Sequence, residues 1–166
     1  MKYYLPFLIF ISILIVSSCG RKEYTEQGIE EIKTEIDSLL YHPDAEKEFN
    51  WGSAKAYSYF KAYFHNSKLI YIKEDYRFRK SGSSFNKYYF KDGHMLYYIA
   101  KELSYKPEKK YIDTEILVDP DGDVIAYDKI DNGKRIALSG QESTEIIEHA
   151  RDLENIVSGK SVSGKE

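Results

Sequence analysis

Nine residues, Tyr63-Phe64-His65-Asn66-Ser67-Lys68-Leu69-Ile70-Tyr71, align without gaps on Tyr89-Phe90-Lys91-Asp92-Gly93-His94-Met95-Leu96-Tyr97, 26 residues further on. A third copy, Leu117-Val118-Asp119-Pro120-Asp121-Gly122-Asp123-Val124-Ile125, is one residue longer at Pro120. Each copy reads as strand, tight turn, strand. Three such hairpins laid side by side predict an antiparallel meander of about six strands. Asp92-Gly93 is the strongest turn signal, because the pair tolerates the positive φ of a type I′ turn. Asp119-Pro120-Asp121-Gly122 and Asn132-Gly133 mark further turns, and Ser81 to Ser84 and Lys106 to Lys109 are looser loops.

Helical periodicity flanks this β region. Ile29, Ile32, Ile36, Leu39 and Leu40 recur at helical spacing among Glu30, Glu31, Lys33, Glu35 and Asp37. They predict a helix from about Glu26 to Tyr41, stopped by His42-Pro43-Asp44. Residues 44–52 are ambiguous, and Ala45 to Phe49 fit one further helical turn. Ile146, Ala150, Leu153 and Val157 predict a second helix from about Glu142 to Val157, with N-cap candidates from Ser139 onward and Gly159 as its C-terminal glycine. The expected class is therefore α+β: an N-terminal helix, the meander, and a C-terminal helix packed on the sheet.

If Asn66 and Ser67 are the two central turn residues, simple alternation pairs Phe64 with Leu69 and Ala62 with Tyr71 on one face. Tyr63 with Ile70 and Tyr57 with Tyr76 fall on the other. In the second hairpin, Phe90 with Met95 and Tyr88 with Tyr97 share a face, and Tyr89 with Leu96 and Lys87 with Tyr98 share the opposite one. Both faces are then aromatic, as 16 tyrosines in the chain suggest. Two helices cover one face. The other is curved over, covered by a partner or left wet, with Tyr63, Tyr71, Tyr89, Tyr97 and Tyr98 as the candidate binding surface. Tyrosine also simply suits a half-wet strand. Lys61, Lys73, Lys87 and Lys101 would keep that face soluble.

Chemical motifs are few. Asp119, Asp121 and Asp123, with Asp128 nearby, suggest calcium. Counted from Asp119, however, position six is Val124 and position twelve is Ile130, where a calcium loop needs glycine and glutamate. A Pro-Asp-Gly turn explains the cluster. Residues Gly159 to Lys165 imitate a phosphate-binding loop, but Glu166 replaces the required hydroxyl residue and no strand precedes it. Ser58-Tyr59-Phe60-Lys61 has the Ser-x-x-Lys spacing of penicillin-binding enzymes without their partner motifs, and on a strand Ser58 and Lys61 point to opposite faces. His42, His65, His94 and His149 show no metal-ligand spacing; His149 follows Glu145 by one helical turn, a surface pair. Glu74 and Glu102 end their strands at similar places, which makes a carboxylate dyad conceivable. No catalytic, metal or cofactor residue is assigned.

The N-terminus carries the most specific signal. Lys2 precedes an apolar run from Phe7 to Val16, which is too short for the roughly 20 residues of a membrane span. Val16-Ser17-Ser18-Cys19 follows, and Cys19 is the single cysteine. This resembles the lipobox of bacterial lipoproteins. The alternatives are an ordinary signal peptide cut near Ser18 or an uncut anchor. The resemblance implies cleavage before Cys19, a diacylglyceryl thioether on its sulfur and an N-acyl chain such as palmitate. Two or three chains hold firmly where one binds reversibly. Gly20, where some lipoproteins carry aspartate, resembles export to the outer membrane. The expected layout is a signal peptide over 1–18, a lipidated tether over 19–28, one domain over 29–158 and a disordered tail over 159–166. The mature chain would hold 166 − 18 = 148 residues. Its charge would be 23 − 27 = −4 once Lys2 is gone, which gives no electrostatic case for nucleic acid. With no second cysteine it has no disulfide, so its core must stabilise it.

The hairpin pattern also resembles MORN-like repeats, without the further glycines those carry, so no function follows from them. Over most of the mature chain it is similar to small bacterial lipoproteins of unassigned function with a helix on an antiparallel sheet. The expected function is non-catalytic: an envelope lipoprotein that binds a protein, peptide or envelope component through an aromatic sheet face, including inhibitor or immunity-type roles. The alternative is a small-ligand carrier or accessory transport lipoprotein, which needs a pocket of roughly 300 Å³ or more. A small hydrolase is the third reading, disfavoured because no nucleophile, base and orienter are recognisable together.

Overall fold

The computed structural model describes residues 24–52, 56–78, 81–105 and 107–160. In chain order the elements are α1 (Glu26–Leu39), β1 (Ala45–Gly52), β2 (Ala56–His65), β3 (Lys68–Phe78), β4 (Gly82–Lys91), β5 (His94–Ser104), β6 (Lys110–Val118), β7 (Val124–Asp131), β8 (Lys134–Arg135) and α2 (Gly140–Val157). The strands form one antiparallel sheet in sequence order. The α+β class holds, but the sheet has eight strands rather than about six. One addition is β1, where a helical turn from Ala45 to Phe49 had been an option. Phe49 and Trp51 turn to the core there, after the charged run Glu46-Lys47-Glu48 and with Asn50 between them, as suits an edge strand. The other is the two-residue β8.

Local chemistry sets the ends of the elements. Thr25 caps α1 by accepting from the Gly28 amide at 3.1 Å, and Ser139 caps α2 by accepting from the Glu142 amide at 3.2 Å. The α1 helix thus takes residues 26–28 from the expected tether. At the end of α2, Gly159 has φ 69°, its amide bonds to the Ile156 carbonyl, and the Lys160 amide bonds to that of Asn155. Asn66-Ser67, Asp92-Gly93 and Asn132-Gly133 all have positive φ at both residues, the signature of two-residue type I′ turns.

Each of the three repeated hairpins carries a β-bulge at the same place. Tyr63 pairs with Tyr71 but Phe64 with Leu69, so Ile70 is extra. Tyr89 pairs with Tyr97 but Phe90 with Met95, so Leu96 is extra. Leu117 pairs with Ala126 but Val118 with Val124, so Ile125 is extra. Beyond each bulge the register differs by one from simple alternation. Phe64 with Leu69 and Phe90 with Met95 stand as expected. Ala62 instead meets Ile72, and Ser58 rather than Tyr57 meets Tyr76. Tyr88 meets Tyr98, and Lys87 meets Ile99. Because side chains alternate, such a slip moves residues to the opposite face.

The helices cover opposite faces, not one. Ile29 and Ile36 of α1 pack on Ile70, Tyr71, Tyr89, Leu96, Tyr97 and Leu117. Ala150 and Leu153 of α2 pack on the other face, over Phe60, Ile72, Tyr88, Phe90, Tyr98 and Ile116. Sheet burial on both faces explains why Met95 to Tyr98 are consecutively buried.

Ile29 and Leu153 are each fully buried. Truncating either to alanine should cost roughly 2–5 kcal/mol by denaturant unfolding, whereas Tyr111→Ser, at an exposed position, should stay within about 0.5 kcal/mol. An Ile29→Ala protein that unfolds at the wild-type midpoint would mean that α1 is not docked. Ser67 holds φ 62° without being glycine, so Ser67→Gly should raise stability by about 0.5–1 kcal/mol in the same assay.

Candidate functional site

The expected tyrosine surface is not an exposed patch. Tyr71, Tyr89, Tyr97 and Tyr98 are buried and Tyr63 is half-buried. Nor do the five share a face. Tyr63, Tyr71, Tyr89 and Tyr97 run in one row across β2 to β5, with neighbouring ring centroids 5.6, 4.9 and 5.7 Å apart. This row seats α1. The Tyr89 hydroxyl donates to Asp37 at 2.9 Å, that of Tyr97 donates to Glu115, and Lys33 lies 5.5 and 5.7 Å from the two ring centroids. Tyr98 sits under α2, 5.1 Å from the ring of Tyr88. Cys19 lies outside the described residues.

Under α2 the structure assembles polar groups that the sequence reading kept apart. Glu74 on β3 is fully buried. Its carboxylate accepts from Ser58 Oγ at 2.6 Å, Tyr88 OH at 2.7 Å and Asn86 Nδ2 at 2.9 Å. His149 Nε2 reaches down from α2 to within 2.9 Å of Oε1 and 3.1 Å of Oε2. The imidazole stands among the rings of Trp51, Tyr76 and Tyr88, at centroid distances of 5.6, 5.4 and 6.2 Å. Burial pushes the Glu74 carboxyl up, but the His149 hydrogen bond and charge, with the Asn86 and Ser58 hydrogen bonds, outweigh it and hold it below the ordinary carboxylate range. His149 therefore pairs with Glu74 across 75 residues, not with Glu145 on its own helix.

The chemistry of this cluster is cohesive. Ser58 Oγ and His149 Nε2 both spend their hydrogen bonds on the same carboxylate, so the imidazole is not placed to take the serine proton. None of the described pockets opens onto Glu74. The carboxylate ties β2, β3 and β4 to α2. Glu102 stands two strands away from Glu74 and in register with Ser84 and Tyr76 instead; burial raises its carboxyl, in the field of Lys129 and Glu142, and no dyad forms. Asp119 closes its own turn, accepting from the Asp121 and Asp123 amides at 2.9 Å each. Among the described residues no group of acids and histidines could hold a metal ion.

Among the described residues one surface stays uncovered. On the α1 face, only the row at the hairpin-turn end lies under the helix. The rows beyond it run Lys61–Lys73–Lys87–Ile99–Glu115, then Tyr59–Asp75–Phe85–Lys101–Asp113, then Tyr57–Arg77–Ser83–Leu103–Tyr111. Tyr57, Phe85 and Tyr111 are 47, 37 and 54 % exposed. Three lysines stand directly opposite one another on adjacent strands, an unfavourable arrangement in isolation. Lys61 is met by Glu48 at 2.5 Å, while Lys73 lies 5.2 Å from the Phe85 ring centroid. At the far end Tyr57, Arg77, Ser83 and Tyr105 line an open groove of about 680 Å³. The sequence placed these lysines on an exposed face correctly, but attached them to the wrong aromatic neighbours because the bulges were invisible.

A carboxyl held below its ordinary value of 4.5 stabilises the fold above that pH, and the contribution is lost as pH falls through its folded-state value. The stability advantage of the wild type over Glu74→Gln should therefore shrink as pH falls from about 5 towards 3. A gap unchanged to about pH 3 would contradict the ionised buried carboxylate.

Compared with protein-family models, curated proteins and solved structures, the chain matches none.

Proposed function

We propose that the chain is a lipid-anchored protein of the bacterial envelope, a binding module rather than an enzyme, docking its partner on the uncovered half of the α1 face. That uncovered half, with Tyr57, Phe85 and Tyr111 exposed among Lys73, Lys87 and Lys101, is the observation that carries the reading. It replaces the buried tyrosine row as the binding surface. The lipobox-like Val16-Ser17-Ser18-Cys19 supports the anchor. Thr25 caps α1 six residues after Cys19, so a lipid there would hold the domain within roughly 20 Å of the membrane surface. No helix among the described residues is long and apolar enough to cross a membrane. The carrier reading draws less support, since the described pockets of more than 300 Å³ are open grooves rather than enclosed cavities.

Cys19→Ser should abolish incorporation of an alkyne fatty acid and move the protein from the membrane to the soluble fraction; unchanged labelling would refute the anchor. Phe85→Ala combined with Tyr111→Ala should leave the unfolding midpoint within about 0.5 kcal/mol of wild type while removing the cross-linked partners of the lipidated protein. Identical partners for both forms would refute the docking surface.

A further inference from the structure

The α1 face has room for two helices and, among the described residues, holds one. Its four rows, from Tyr89 to Ser83 along β4, span three two-residue steps, roughly 20 Å. A helix with its side chains is about 10 Å wide. The α1 helix fills the strip at the hairpin-turn end, and the second strip, centred on Phe85, is the uncovered half described above. Across the strands the strip runs from β2 to β6, about 19 Å at the usual strand spacing. A helix of 14 residues, the length of α1, is about 21 Å long.

The charges of the two surfaces match. Lys73, Lys87 and Lys101 in the open strip and its border make no ion pair with a described residue; Lys73 lies over the Phe85 ring, Lys101 stands opposite Phe85 in register and Lys87 is two residues along the same face. The outer side of α1 is the stripe Gln27, Glu30, Glu31, Thr34, Glu35 and Ser38, all exposed. It carries three carboxylates, of which Glu35 reaches Lys91 at 3.1 Å. The strip also holds Asp75, Asp113 and Glu115, of which Asp75 is engaged by Arg77 and Glu115 by Tyr97, so the three lysines outnumber its one remaining acid, and they face an acidic helix of matching length.

We propose that a second copy of this chain covers the strip, each copy laying the acidic side of its α1 on the other's lysines and aromatic rings. The inference rests on the reading of the uncovered half-face as a docking surface, and names its occupant. A two-fold axis lying across the strands, between the two sheets, produces the arrangement. It reverses the order of the rows, so that the two α1 helices lie side by side in one layer. An axis along the strands would stack one α1 on the other and hold the sheets apart. Two reciprocal footprints of roughly 20 by 10 Å, each buried from both sides, bury about 800 Å², the size of a weak, exchanging pair rather than of the roughly 1,200–2,000 Å² that stable pairs bury. Opposite charges across the contact set the orientation of the copies.

The test replaces Phe85 with p-benzoylphenylalanine in the full-length chain and irradiates the producing cells. The expected product is an adduct of twice the chain's mass, whose cross-link maps to residues 26–39. Glu31→Lys should lower its yield roughly five-fold or more, and adding Lys87→Glu should restore it, because the swap re-establishes opposite charges. Adducts only with a different protein overturn self-pairing while leaving the docking surface standing. The absence of any adduct overturns both.

Discussion

Three extra residues, Ile70, Leu96 and Ile125, decide which side chains meet which helix. Each sits in a bulge within two residue pairs of its hairpin turn, and each shifts the rest of its strand by one position. In a sheet covered on both faces, that shift separates two cores. It puts Tyr71, Tyr89 and Tyr97 under α1, and Tyr88, Tyr98 and Glu74 under α2. Without the bulges the fully buried Glu74 would turn towards the α1 face, away from His149. The repetition of one irregularity at one place makes the hairpins structurally equivalent, beyond their shared composition.

The helices are held by different physics. The α1 helix rests on a tyrosine row, with Ile29 and Ile36 as apolar anchors and Asp37 and Lys33 on the polar edge of the rings. Tyrosine serves here as a large apolar surface whose hydroxyl still finds an acceptor. The α2 helix adds to its apolar contacts a buried charge. A carboxylate without water stays ionised only when its hydrogen bonds are met, and Glu74 has Ser58, Asn86, Tyr88 and His149. Such a pair adds little net stability over apolar packing but tolerates few alternative seats for the helix. The cluster gathers serine, glutamate and histidine and yet serves to fix α2, because its carboxylate is sealed and saturated.

Elements governed by local chemistry were legible in the sequence. Helical periodicity placed α1 and α2 to within two residues, and Asp92-Gly93 and Asn132-Gly133 gave their turns. What failed was information held between distant segments. A bulge has no composition of its own: Phe64 and Ile70 look like any strand pair, and the slip they cause inverted the faces of Tyr71, Tyr76, Tyr97 and Tyr98. β1 was obscured because its two inward aromatic residues stand among four charged or polar ones. The Glu74–His149 contact spans 75 residues and could be suspected only once Ser58, Glu74 and Asn86 were known to share a face. The tyrosines were rightly seen as the dominant material of the sheet, but their abundance was taken for exposure when most of those named serve as core.

The same register creates the uncovered strip, since it aligns Lys61, Lys73 and Lys87 across three strands and sets Phe85 beyond them. The proposed docking surface therefore depends on the bulges as much as the core does. Nuclear Overhauser contacts between β4 and β5 test them most directly. Cross-strand backbone contacts of Tyr89 with Tyr97 and of Tyr88 with Tyr98 are predicted. Contacts of Tyr88 with Tyr97 and of Lys87 with Tyr98 would show a hairpin without its bulge, and would contradict the assignment of residues to the two faces.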